Sequence, residues 1–110
     1  MDTAMRPFNG RPVRLVLSFA KASLVLEGAV FELLRGGWEE DSRRLARHMA
    51  GALRQAARHA GWWDRECALR AIESLLTLSA SELLPVRKAV GDKLLELLAY
   101  LMNVPGSRSA

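Results

Sequence analysis

Between Val13 and Met102 apolar residues recur every three or four positions, and nowhere do they alternate with polar ones for long. A half-buried strand needs a period of two, whereas a helix that keeps one dry face needs a period near 3.6. The chain therefore predicts helices and no sheet. Its punctuation is equally local. Gly36-Gly37, Gly61, the SASELLP stretch from Ser79 to Pro85 and Asn103-Val104-Pro105-Gly106 interrupt the periodic runs, and these are the residue types that end helices or form turns. The resulting expectation is a helix from about Val13 to Leu34 and a second one to about Ala60, with Asp41 or Ser42 as its N-cap. A third, capped by Asp64, runs from Arg65 to about Ser79. A fourth has Pro85 near its start and ends around Met102. Four helices joined by short links make an all-α, antiparallel helical bundle. Residues 1–12, with two prolines and a glycine, read as an irregular lead-in, residues 13–103 as a single domain, and 104–110 as a short tail.

The chain has 110 residues and is half hydrophobic, enough for one core and too apolar for disorder. Its one cysteine, Cys67, excludes an intrachain disulfide and points to a reducing cytoplasm. The basic N-terminus before LVLSFA looks superficially like a secretory leader, but Lys21 interrupts the apolar run and no small-residue cleavage pattern follows. The stretch from Val13 to Leu34 is long enough to span a bilayer, yet Arg14, Lys21, Glu27 and Glu32 lie inside it, too many ionisable groups for one span. No membrane association is expected.

The third and fourth helices carry ordinary core stripes: Ala68, Leu69, Ile72, Leu75 and Leu76 on one, Val86, Val90, Leu94, Leu97 and Leu101 on the other. Glu66 stands four residues before Arg70, the favourable order for a helical ion pair. The first helix is apolar almost all round, with a polar strip of only Arg14, Ser18, Lys21, Gly28 and Glu32. Such a helix needs cover on more sides than a four-helix bundle gives, so a homo-oligomer formed through the first helix is expected. Glu27 projects into this apolar region and would need an Arg or hydroxyl partner if covered; Ser23 is one turn away.

The second helix is the one with functional content. From Arg43 to Trp63 there are five arginines, two histidines, two tryptophans and no carboxylate. At ~100° per residue, Arg43, Arg44, Arg47, Arg54 and Arg58 fall within an arc of about 100°. Gln55, His48 and His59 lie next to it, and the remaining arc is Leu45, Met49, Leu53 and alanines. A solvated face usually mixes signs, because like charges four residues apart repel. The missing acid makes Arg43, Arg44, Arg47, Arg54 and Arg58 candidates for binding an anionic partner. RNA or DNA is the first expectation, through counterion release from phosphates. Trp62 is the candidate to stack on Arg58 or on an unpaired base, while Trp63 reads as a core plug at the turn. An acidic protein surface is the alternative, since guanidinium forks suit carboxylates equally well.

A catalytic alternative rests on spacing. Arg43–His48 and Arg54–His59 both match Arg-x-x-x-x-His, the spacing of HEPN ribonucleases, which are small all-α domains that cleave RNA without a metal. Histidine would move the proton and arginine would stabilise the phosphorane. The match covers six residues at a time and sits on the second helix rather than near the end of the domain. No metal or cofactor is expected, because His48 and His59 lie ~16 Å apart along the helix and no glycine-rich phosphate loop, Cys-x-x-Cys or His-Glu-x-x-His is present. The sequence thus reads as a non-enzymatic adaptor or small assembly subunit.

Overall fold

A computed structural model describes the backbone of residues 5–103 and the side chains of residues 18–103. Four long helices, α1 (Met5–Arg35), α2 (Glu40–Ala60), α3 (Trp63–Leu75) and α5 (Arg87–Met102), build the bundle, with a single turn of helix, α4 (Ala80–Leu83), between the last two. No strand occurs among the described residues. α2 packs against α1 and α3, and α5 packs against α3 and α1, so each long helix touches two neighbours around a common core. Leu26, Val30 and Leu33 of α1, Ala46, Ala50, Leu53 and Ala57 of α2, Leu69, Ile72 and Leu76 near α3, and Val90, Leu94, Leu98 and Leu101 of α5 fill that core.

α1 begins eight residues earlier than its apolar pattern suggested, so residues 5–12 are helical and not an irregular lead-in. Pro7 lies in the first turn, where an absent N–H costs nothing, and Pro12 removes only one ladder bond from a 31-residue helix. Residues 1–4 of the expected lead-in and the tail 104–110 lie outside the described residues. So do the side chains of Val13, Arg14, Leu15, Val16 and Leu17.

The link from α1 to α2 turns on backbone that side chains rarely adopt. Gly37 has φ 85° and Trp38 has φ 67°; the first suits glycine, the second is uncommon for a bulky residue. Trp38 is held there by burial and by its indole N–H, which donates to the Leu78 carbonyl at 2.8 Å. α2 then starts at Glu40, one or two residues before the expected cap. Glu39 occupies the cap position, its side chain accepting from the Ser42 hydroxyl at 2.9 Å, and Glu40 and Asp41 sit at the positive helix end. Gly61 terminates α2 as expected, left-handed at φ 77°, with the Trp62 N–H returning to the Ala57 carbonyl at 2.9 Å.

α3 starts at Trp63 with Trp62 at the cap, so Asp64 sits in the first turn instead of capping, and the helix ends at Leu75, four residues before Ser79. Ser79 instead opens α4. Its hydroxyl accepts from the Glu82 N–H and its own N–H donates to the Glu82 carboxylate, a reciprocal capping box. Pro85 lies in a 3-10 turn, Leu84–Val86, that leads into α5. Leu98 is fully buried beside Leu94 where the pattern pointed to Leu97, which is half-buried, and Val86 is exposed.

Candidate functional site

α2 divides its cations between two directions. Its buried arc is Ala46, Ala50, Leu53 and Ala57, and Arg43 sits at the edge of that arc facing α3. The Arg43 side chain turns inward, leaving the residue 8% exposed. Its Nη1 donates to the Leu76 carbonyl at 2.7 Å, and its Nε and Nη2 donate to Glu40. Arg44 stays exposed but shares the same carboxylate, Nε to Oε2 at 3.1 Å. Hydrogen bonds from Arg43, then from Arg44, hold the Glu40 carboxyl below its ordinary range. Arg54 reaches across to α3, where its Nε donates to Glu73 at 2.7 Å. Gly51 makes room for that reach, because a Cβ there would stand 3.1 Å from the Glu73 carboxylate.

Arg43 and Arg54 are thus internal ties, and the expectation of five uncompensated guanidiniums in register is corrected. The compensating acids come from the helix start, Glu40, and from a neighbouring helix, Glu73. Arg47 and Arg58 remain exposed, with no carboxylate partner among the described residues. His48, Gln55 and His59 are exposed beside them.

The two tryptophans exchange their expected places. Trp62 is half-buried against the core, edge-on to Phe19 with ring centroids 5.2 Å apart. Its face is covered by the Arg65 guanidinium at 4.2 Å, so it neither stacks on Arg58 nor offers a base platform. Burial pushes the Arg65 guanidinium down from its usual range, which still leaves it charged. Trp63, read as a plug, is exposed.

Two concavities flank the outward face. One is an apolar groove of about 440 Å³ between α1 and α2, lined by Ser18, Phe19, Ala22 and Val25 on one side and Met49, Ala52, Leu53 and Ala56 on the other. Its alanines keep the helices close and the surface hollow. The other is an open depression over Gly51, bounded by Arg44, Arg47, His48, Arg54 and Gln55, with the Glu73 carboxylate of α3 at its edge. Sequence reasoning missed the groove, although Met49, Ala52, Leu53 and Ala56 at three- and four-residue steps carried its signal.

The arrangement offers little to phosphoryl chemistry. The arginine of each Arg-x-x-x-x-His pair is committed to a carboxylate, and Arg43 and His48 lie about 140° apart around the helix. No cluster of three or more metal-ligating side chains occurs among the described residues. No described helix is long and apolar enough to cross a membrane. Compared with known proteins, the chain matches no family model, no curated protein and no solved structure.

Proposed function

We propose that this chain is a non-enzymatic helical adaptor whose α2 docks on an acidic protein surface in the cytoplasm. One observation carries the reading: the outward face of α2 joins an apolar groove on its α1 side to exposed cations, with Arg44 nearest the groove and Arg47 and Arg58 toward α3. An amphipathic helix with carboxylates along its flank seats its apolar stripe in the groove and turns its acids to Arg44, the exposed guanidinium nearest the groove. A phosphodiester strand lacks the aliphatic stripe that fills a groove between two helices, and it draws most of its affinity from the phosphates it neutralises. Exposed Leu24, Val25 and Phe31 support the companion proposal that the chain works as a homo-oligomer through α1.

Nucleic acid stays as a second reading on a specific observation. Between Asp41 and Asp64 the outward face of α2 holds no carboxylate of its own, and Arg47 and Arg58 lie in line ~16 Å apart. Titration separates the two. A glutamate-flanked, leucine-striped helical peptide should bind, and either Arg44→Glu or Ala52→Trp, which fills the groove, should weaken it by about tenfold or more. An RNA oligomer of matched charge that binds more tightly and ignores Ala52→Trp would favour nucleic acid. Binding of neither ligand at low salt would overturn the proposal.

A further inference from the structure

The exposed side of α1 has a pattern of its own, centred on a glycine. At ~100° per residue the uncovered arc runs from Ala20 to Val25 over roughly 140°, and Gly28 lies at its middle. On one flank stand Leu24, 59% exposed, and Phe31, 43% exposed, with the exposed Arg35 two turns beyond Gly28 on the same side; on the other stand the exposed Lys21 and Glu32, with Val25, 61% exposed, beyond them. Glycine is the poorest helix former after proline, and nothing among the described residues requires one here. A Cβ built at Gly28 meets no atom within 4 Å. Small residues at the centre of an exposed apolar helix face let a second helix backbone approach closely.

The geometry points to that second helix being α1 of another copy, crossing antiparallel at Gly28. A two-fold axis perpendicular to both helices returns each flank to the same flank, with the chain direction reversed. The apolar flank then pairs Leu24 with Phe31 of the other copy, and the charged flank pairs Lys21 with its Glu32. Both pairings centre within a residue of one another and beside Gly28, so a single axis satisfies them together. That coincidence is the charge and shape complementarity of the face with itself. Glu32 has only an exposed 3.6 Å contact with Arg35 to give up.

A consequence for α2 follows from the same axis. α2 packs on α1 next to the charged flank, through Ala22 and Val25. α5 lies next to the apolar flank, where Leu34 reaches Gly91. Because the axis keeps flanks on their own side, the dimer displays both α2 faces on one side, as a bivalent platform. This inference rests on the homo-oligomer reading and fixes its geometry.

Sedimentation equilibrium under reducing conditions, which silences the exposed Cys67, tests it. The wild-type chain should be a dimer, and Leu24→Glu or Phe31→Glu should weaken it by about a hundredfold with helicity unchanged. Lys21→Glu should weaken it about tenfold, because symmetry counts the change twice, and adding Glu32→Lys should restore it. In a Cys67→Ser background, Gly28→Cys should oxidise to a covalent dimer, since the two positions meet at the axis. A monomeric wild type overturns both the homo-oligomer reading and this geometry. A dimer that ignores the charge reversal and fails to cross-link at position 28 overturns the geometry alone.

Discussion

Arg43→Ala separates structural from functional arginines, and its cost can be worked from the contacts. Arg43 donates to the carbonyl of Leu76, a residue with no exposed surface, at 2.7 Å. Stranding a buried carbonyl costs about 1–3 kcal/mol. The buried aliphatic stem adds about 1–2 kcal/mol at ~0.8 kcal/mol per methylene, less what the site recovers by closing in. Glu40 keeps water and Arg44, so losing that pair adds little. The expected sum is ~2–4 kcal/mol, which in a domain of this size lowers the melting temperature by about 10–20 °C. Arg43→Met keeps the stem and should fall between Arg43→Ala and wild type. Arg47→Ala, on the exposed face, should stay within about 0.5 kcal/mol. Thermal unfolding followed by circular dichroism reads all three. Equal melting temperatures for Arg43→Ala and Arg47→Ala would refute the division of α2 into inward and outward cations.

Three further expectations follow from the packing. A double-mutant cycle on Arg54 and Glu73, whose side chains are 20% and 29% exposed, should show a coupling of about 0.5–1.5 kcal/mol that shrinks with salt; no coupling would mean the α2–α3 tie is absent in solution. Glu40 and Glu82 both hold their protons less tightly when folded, the first through Arg43 and Arg44, the second through hydrogen bonds with the Ser79 backbone and then its hydroxyl. Their contribution is therefore present above the ordinary carboxylate range, near pH ~4.3, and is lost as pH falls through the lower folded values. Melting curves should decline there, and Glu82→Gln should flatten part of the decline. Trp38→Phe removes the indole donor to Leu78, and urea titration should show a loss of about 1 kcal/mol or more; an unchanged midpoint would remove that bond from the account.

Much of this architecture is written in local signals. The alanine arc of α2, the glycine stops at 36–37 and 61, and the Glu66–Arg70 pair, found at 2.7 Å, depend on spacing along one helix. What the sequence hid depends on other helices. Arg43 lies at the border between arcs, where a long side chain goes either way, and the Leu76 carbonyl that draws it inward is 33 residues on. Glu73 compensates Arg54 across a packing interface that no i,i+4 rule sees. The Trp62 and Trp63 assignments turned on one residue of register: Gly61 breaks the helix, so Trp62 no longer continues the face of Arg58 and folds onto Phe19. Glu27 does not take Ser23, one turn away, as a hydroxyl partner. Ser23 is buried with its hydroxyl unpartnered, while Glu27 is only half-buried.

Backbone amide NMR of the wild-type chain, titrated with the glutamate-flanked helical peptide, addresses the α2 proposal most directly. The account predicts shifts concentrated at Arg44, His48, Ala52, Gln55 and His59, with Val25 across the groove following and the Arg43 and Arg54 ties undisturbed. Shifts confined to other faces, or none at saturating peptide, would contradict it.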